Sequence, residues 1–293
     1  MPSPLLYESH LHTPLCHHAI GLPGEYAAVA EKRGLRGIIV TCHAPMPDGY
    51  SSPYRMDIED WATYLTMVEE AAEAWRGRVD IRLGLESEYV PGYLPWIESL
   101  HGRASFHHVL GSVHCQMHEY IETFFRDGSP DPWPEFQRTY FRHLAEAAET
   151  GLYDTLSHPD LVKNMQPGEW NVPRILDDIR RALDRIAAAG MAMELNTSGL
   201  NKTIPEMNPG PAILREMNAR GIPVVLGADA HKPSRTGAEY PRALDLLRAA
   251  GYKEVSFFLN RQRQGVPIDE AAASLRDGNE RAAVATASAP CKF

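Results

Sequence analysis

Short apolar, β-rich runs recur along the chain at 5–10 (LLYESH), 36–43 (RGIIVTCH), 79–89 (VDIRLGLESEY), 106–114 (FHHVLGSVH), 152–158 (LYDTLSH), 191–198 (MAMELNTS), 222–231 (IPVVLGADAH) and 253–260 (KEVSFFLN). Between them lie segments with helical spacing, such as 24–34 and 172–190. The second puts Ile175, Ile179, Leu183 and Ile186 on one face at the 3.6-residue period and closes on Gly190. Strands alternating with helices of this length imply parallel pairing through right-handed crossovers. No linker-like change of composition divides the chain. The pattern therefore predicts one α/β domain over 1–278, with the low-complexity segment 279–293 as a flexible tail. Seven or eight β/α units suit a TIM-like barrel better than an open doubly wound sheet. Two stretches, 44–56 and 118–136, are rich in turn residues and read as irregular loops of the kind that form lids or substrate walls.

Composition narrows the function classes. The chain has 293 residues, 44% of them hydrophobic, enough for a sizeable core. No window reaches the ~18 uninterrupted apolar residues of a membrane span. The N-terminus lacks a basic region followed by an apolar one, so a secretory signal is not expected. A formal net charge of −9 argues against a protein that works on nucleic-acid backbones, while leaving small anionic substrates open. Cys16, Cys42, Cys115 and Cys291 are scattered, with no C-x-x-C pair and no disulfide-like framework, which points to a reducing, cytoplasmic setting.

The chemistry lies at the strand ends. Of 13 histidines, six end predicted strands on one side: His10, His12, His43, His114, His158 and His231. Glu86 sits late in the third strand and Asp229 ends the seventh. In a β/α barrel all strand C-termini open on one mouth, so these residues converge. Alternation in "HLH" and "DAH" keeps both members of each pair on one face. Imidazoles mixed with carboxylates suit Zn²⁺, Mn²⁺ or Fe²⁺, and shared acids could bridge ions ~3.5–4 Å apart. A lone strand-end histidine is more often structural, and H-x-H alone is a weak motif. Glu86 inside an apolar strand tips the balance, because an unpaired carboxylate there is costly. His101, His107, His108, His118 and His143 are read as structural.

Taken in order, SHLHTPLCHHAIG, VTCHAPMP, LGLESEY, VLGSVH, SHPDLVK, ELNTSGL and LGADAHKPSRTG resemble the PHP (polymerase and histidinol phosphatase) superfamily over nearly the whole chain. Within it they are similar to the monofunctional histidinol-phosphate phosphatases. The resemblance implies a distorted (β/α)7 barrel holding three divalent metal ions. The first would take His10, His12, Glu86 and Asp229. The second would share Glu86 and add His114 and His158, and the third would take His18, His43 and His231. His18 is preferred to His17 because the family's opening motif resembles H-x-H-T-x-x-C-x-H. That leaves His17 as a bystander or surrogate ligand. One departure stands out: the family commonly has Asp-His where this chain has Cys42-His43. Cys42 is then a neutral packing residue, the reading adopted here, or a thiolate beside a metal. The ions themselves stay open between Zn²⁺, Mn²⁺ and Fe²⁺, alone or mixed.

The activity implied is hydrolysis of L-histidinol phosphate to L-histidinol and phosphate, a step of histidine biosynthesis. A metal-bound hydroxide attacks phosphorus and no protein nucleophile is needed. Cys16 as a nucleophile lacks the phosphate-cradling loop and following arginine that such chemistry requires. Arg55, Lys163 and Lys202 are candidate phosphate contacts, each equally readable as a solvated charge. Asp160 and Glu88 are candidate contacts to the substrate's amine and imidazole. Two other functions compete. A PHP-type phosphoesterase acting on nucleotides, oligonucleotides or other phosphate esters is opposed, where the substrate is a nucleic acid, by the acidic charge and the lack of basic-aromatic tracts. A non-catalytic metal-binding protein with a decayed site is the other. The expected partner is a small-molecule phosphate ester, with neither nucleic acid nor membrane, and the sequence does not indicate an oligomeric state.

Overall fold

A computed structural model describes residues 3–276, and each of the eight expected runs contains a strand. They are β1 (Tyr7–Glu8), β2 (Gly37–Val40), β3 (Asp80–Glu88), β4 (His108–Ser112), β5 (Thr155–Leu156), β6 (Ala192–Asn196), β7 (Val224–Gly227) and β8 (Glu254–Leu259). A ninth, β9 (Gln262–Pro267), was not expected. The sheet runs in strict chain order from β1 to β9, parallel throughout except for the antiparallel β8–β9 pair. The helices between strands are α1 (Pro23–Arg33), α2 (Trp61–Ala74), α3 (Leu94–His101), α4 (His118–Phe124), α5 (Pro132–Glu149), α6 (Val172–Ala188), α7 (Pro211–Ala219) and α8 (Tyr240–Ala249), and α9 (Ile268–Ser274) follows β9. The tail expected over 279–293 lies outside the described residues.

The sheet comes round on itself just beyond β1 and β7. Leu11 and Ala230 form a parallel bridge, with His12 N donating to Ala230 O and Ala230 N donating to His10 O, both at 3.0 Å. Glu8 reinforces this seam. Its buried carboxylate accepts the backbone N–H groups of His10 at 3.0 Å, Ala228 at 2.9 Å and Gly237 at 2.6 Å. The strand C-termini therefore share one mouth, as the alternating pattern predicts. Strands buried on both faces read as continuous apolar runs, which is why β2, β4, β6 and β7 are buried at every position.

Helix α6 shows the sequence-to-packing link plainly. Asn171 caps it by accepting the N–H of Arg174, Ile175, Ile179, Leu183 and Ile186 are all buried, and Gly190 ends it in the left-handed region at φ 69°.

Two expectations change. The stretch 118–136, read as irregular, contains α4 and the start of α5. Pro132 and Pro134 suggested turns, but both lie in the first turn of α5, where a missing N–H costs nothing. Strand β9 escaped because "QRQGVP" is polar, mostly exposed and carries Gly and Pro. It pairs through a tight two-residue link, Asn260 and Arg261, both at positive φ (51° and 61°).

No helix among the described residues is long and apolar enough to cross a membrane. Ile179, fully buried on the apolar face of α6, tests the packing. Ile179→Ala should lower unfolding free energy by about 2–5 kcal/mol in urea titrations of chelator-treated protein, without abolishing the fold.

Candidate metal centre

Apart from Glu86, the strand-borne ligands lie just past the last ladder pair of β1, β2, β4, β5 and β7. His10 and His12 alternate around the seam residue Leu11, so both face inward. Glu86 stands in β3 opposite His43, with which it forms a parallel bridge. His114 follows β4 and His158 follows β5. Asp229 and His231 follow β7. His158 and Asp229 both take positive φ, 28° and 48°. This sparsely populated backbone turns their side chains back over the mouth and holds local strain at the site.

Distances group these atoms. His10 Nε2 lies 3.3 Å from Glu86 Oε2 and 3.6 Å from Asp229 Oδ1, and His12 Nε2 lies 3.5 and 3.2 Å from the same oxygens. A tetrahedral ion with bonds of ~2.0–2.2 Å needs ligand-to-ligand edges of ~3.3–3.6 Å. On the other oxygen, Glu86 Oε1 lies 3.4 Å from His114 Nε2 and 3.1 Å from His158 Nε2. His18 Nε2 and His231 Nε2 are 2.9 Å apart. His43 lies between the groups: its Nδ1 is 2.8 Å from Glu86 Oε2, and its ring centroid is 5.3 Å from that of His18 and 6.0 Å from that of His231. His10 Nε2, His43 Nδ1 and Glu86 Oε2 are buried without a hydrogen bond among the described residues. Buried donor atoms that converge without hydrogen bonding to each other are what a metal site requires, and the residues fit divalent ions.

Behind the ligands sits a ring of positioning contacts. His10 Nδ1 meets Glu194 Oε1 at 2.8 Å, and Glu194 also accepts the His158 N–H at 2.8 Å. His114 Nδ1 meets Glu88 Oε2 at 2.5 Å, and Ser198 Oγ donates to Asp229 Oδ2 at 3.1 Å. Such contacts fix the ring orientation of a ligating histidine. Gly227 makes one of them feasible, since a Cβ there would lie 1.8 Å from Glu194 Oε1 and 2.7 Å from His10 Cβ.

Comparison with known proteins gives the family. The PHP domain family matches residues 8–198. The chain belongs to the PHP family. A relative from Deinococcus radiodurans, named a probable histidinol-phosphatase, is 36% identical over 260 residues, 86% of this chain and 96% of that protein. The Bacillus subtilis histidinol-phosphatase is 26% identical over 265 residues, 81% of this chain and 98% of that protein. The crystal structure of a histidinol phosphate phosphatase from Lactococcus lactis, complexed with zinc, L-histidinol and phosphate, superimposes with a TM-score of 0.73 at 21% identity. It covers 89% of this chain and 100% of that one, and establishes a shared fold.

Against this PHP frame the individual expectations sort out. His18 points into the cluster, whereas His17 is half-exposed and leans toward Asp57 at 3.9 Å. Cys16 is nearer than expected, its sulfur lying within 4.8 Å of His18 and His231 ligand atoms. Cys42 does more than fill space. Thr13 donates to its sulfur from N at 3.4 Å and Oγ1 at 3.2 Å, and the sulfur lies within 4.8 Å of a His12 ring nitrogen and of the Cys16 sulfur. Burial opposes ionisation of Cys42, but bonds with Cys16, His12 and Thr13 outweigh it and hold the thiol well below its ordinary value.

Three expected substrate contacts are spent elsewhere. Glu88 accepts the backbone and ring N–H groups of His114 and pairs with buried Arg55. Lys163 and Asp160 bond each other at 3.1 Å. Lys163 also donates to Met207 O and Glu206 O, and Asp160 accepts from Asn208 and Gly210, so the pair clamps the 206–210 loop. Lys202 stays partly exposed after β6. The histidines read as structural are so placed: His101 bonds Ser87, His108 bonds Thr155, His143 bonds Tyr120, His107 accepts from Asn260, and His118 pairs with Glu122 on the surface. Sequence reasoning missed Glu194, although it carries the signal that revealed Glu86, an acid inside the apolar run "AMELN".

The electrostatics set up a proton-metal exchange. Burial disfavours protonated His10, yet Glu194, Glu86 and Asp229 raise its pKa well above the usual value. Against the same burial, Asp229, Cys42 and Glu86 push His12 up to about 9, and Glu88 and Glu86 push His114 up to about 9. Burial dominates at His43, His158, His18 and His231 and lowers all four, His231 to about 3. At neutral pH the ion-free site thus holds protons on His10, His12 and His114. Ions displace them, so loading the His10–His12 set should release about two protons and loading His114 about one. Zinc affinity should then rise with pH through the region near 9 where His12 and His114 lose their protons, as read by calorimetry in buffers of different ionisation enthalpy. A separate check is Glu194→Gln, which should weaken zinc binding about 10–100-fold in chelator competition while far-UV circular dichroism is unchanged.

Proposed function

We propose that this PHP enzyme is a metal-dependent phosphomonoesterase that hydrolyses L-histidinol phosphate to L-histidinol and phosphate. The observation that carries the reading is the carboxylate of Glu86, whose two oxygens face two different histidine sets, Oε2 toward His10, His12 and His43, and Oε1 toward His114 and His158. A carboxylate shared in this way suits a multi-metal phosphoesterase. The substrate is supported by the relatives' names and by the L-histidinol and phosphate of the Lactococcus lactis structure.

The residues would hold three divalent ions: one by His10, His12, Glu86 and Asp229, one by Glu86, His114 and His158, and one by His18, His43 and His231. Zinc is favoured by the same structural relative, with Mn²⁺ and Fe²⁺ compatible with mixed nitrogen and oxygen ligands. Bound there, the ions supply water activation and neutralise phosphoryl charge. The chain's own part is positional. Glu194 and Glu88 orient His10 and His114, and Ser198 orients Asp229. Lys202 reaches a phosphoryl oxygen from beyond β6. Cys16 is not needed as a covalent nucleophile: contact with Cys42 and burial raise its pKa far above the ordinary value, and its thiol donates to Thr13 O at 3.2 Å.

Phosphate release from metal-replete protein tests the reading. L-Histidinol phosphate should be turned over in preference to nucleoside monophosphates and short oligonucleotides, and chelation should abolish turnover. Asp229→Asn and His158→Ala should each lower kcat by more than about 100-fold. Turnover of oligonucleotides without turnover of L-histidinol phosphate, or unchanged rates in both variants, would refute it.

A further inference from the structure

Two buried sulfurs stand behind the metal centre, and the proposed hydrolysis uses neither. Cys16 ends the short turn Pro14–Cys16 that follows His10 and His12, and Cys42 directly precedes His43. Both cysteines and His12 are fully buried. The two Sγ atoms and one ring nitrogen of His12 all lie within 4.8 Å of one another. A closed-shell ion with bonds of ~2.0–2.3 Å to nitrogen and sulfur needs ligand-to-ligand separations of ~3.5–4 Å. Small rotations of the two cysteine side chains close the set around such an ion.

The surroundings suit an ion better than plain packing. Thr13 aims its N–H and its hydroxyl at Cys42 Sγ, at 3.4 and 3.2 Å, and donors of this kind stabilise negative charge on sulfur. His12 Nε2 faces Glu86 Oε2 and Asp229 Oδ1 at 3.5 and 3.2 Å. Its other nitrogen, Nδ1, is buried with no hydrogen bond among the described residues, which is costly unless something else meets it. Two thiolates cancel the charge of a divalent ion, as a dry interior requires. The way in is from the mouth: Cys16 Sγ also lies within 4.8 Å of ligand atoms of His18 and His231, and the His231 side chain is 29% exposed.

The donor set selects the ion. Two sulfurs and an imidazole nitrogen, with no carboxylate among them, favour soft cations such as Cu⁺, Cd²⁺ or Hg²⁺ over Mn²⁺. The Glu86 centre, built from nitrogen and oxygen, has the opposite preference.

We propose that Cys16, Cys42 and His12 Nδ1 form a separate site for one thiophilic cation, and that its occupation inhibits the enzyme through His12. Binding of Cd²⁺ forms two Cd–S bonds and one Cd–N bond and releases both thiol protons to the buffer. A neutral His12 ring can serve one ion only, because a ring bound at both nitrogens must also give up its last proton. The thiophilic ion therefore competes for this ring with the first ion of the Glu86 centre. A carboxylate at position 42 would offer oxygen in place of sulfur, so the sensitivity belongs to this chain's Cys42. The site stands whatever the phosphate ester, while the inhibition rests on the metal-dependent reading above.

The test titrates Cd²⁺ into protein loaded with zinc and freed of excess, read by the ultraviolet charge-transfer band of cadmium–thiolate bonds. The wild type should develop this band up to one equivalent, and turnover of L-histidinol phosphate should fall in step with it. Cys16→Ser and Cys42→Ser should each lose the band and Cys115→Ser should keep it, with far-UV circular dichroism unchanged. Cys42→Asp should show no band and should keep its own cadmium-free rate at cadmium concentrations that silence the wild type. The cadmium NMR shift of the wild type counts the bound sulfurs without any substitution, and two are expected. No band in the wild type, a shift reporting fewer than two sulfurs, or a full band in Cys42→Ser would each overturn the site; the last would put the ion with Cys16, His18 and His231. A full band with unchanged turnover would overturn the inhibition through His12. Wild-type protein that fails to hydrolyse L-histidinol phosphate would instead overturn the substrate reading, with the band and the shift still judging the site.

Discussion

A single buried carboxylate organises this protein. Glu86 is 1% exposed in the middle of β3, where an isolated negative charge would cost several kcal/mol. Burial alone would favour its neutral form. His43, His10 and His114 overcome that and hold its pKa well below the ordinary range. Ser112 Oγ donates to Oε1 at 2.6 Å, which anchors the oxygen that faces His114 and His158, while Oε2 faces His10, His12 and His43. The charge is thus retained, and the imidazoles that retain it are those a metal would bind.

The barrel's construction follows from that requirement. Histidines from β1, β2, β4 and β5 can reach one carboxylate in β3 only if the sheet curves round and its strands end together. The seam at Leu11–Ala230 supplies the closure, and Glu8 secures it by taking three backbone donors that parallel strand ends would otherwise leave unpaired. Burial is strong enough to push the Glu8 carboxyl up to about 7 in spite of those bonds. The cost is localised: positive φ at His158 and Asp229, and a glycine at 227 because Glu194 needs the space.

Much of this was legible in the sequence because β/α barrels turn linear order into spatial convergence. Strand ends can be read from apolar runs, and the residue just past each run must face the mouth. His10, His12, His43, Glu86, His114, His158, Asp229 and His231 all carried that positional signal. The supporting contacts did not. Glu88, Asp160 and Lys163 looked like substrate ligands because a charged residue near a strand end gives no hint of whether a neighbour has claimed it. Each is claimed, Glu88 by His114 and Arg55, and Lys163 and Asp160 by one another and the 206–210 loop. These partners lie 26 to 50 residues apart, or share one short turn, and neither spacing leaves a periodic trace.

Cys42 shows why a departure from a family pattern needs its surroundings before it can be interpreted. A thiol is smaller and softer than a carboxylate, and in an apolar site it would simply pack. Here Thr13 supplies two donors to the sulfur, and His12 and Cys16 approach it from the other side. Those contacts lower the thiol's pKa against the opposing effect of burial, so the position is polarised rather than simply packed. Carboxylates support the imidazoles of His10 and His114 directly, while at His12 the neighbouring sulfur of Cys42 raises the ring's pKa. At His10 and His114 the anchored far nitrogen presents the near nitrogen to the ion in a fixed direction.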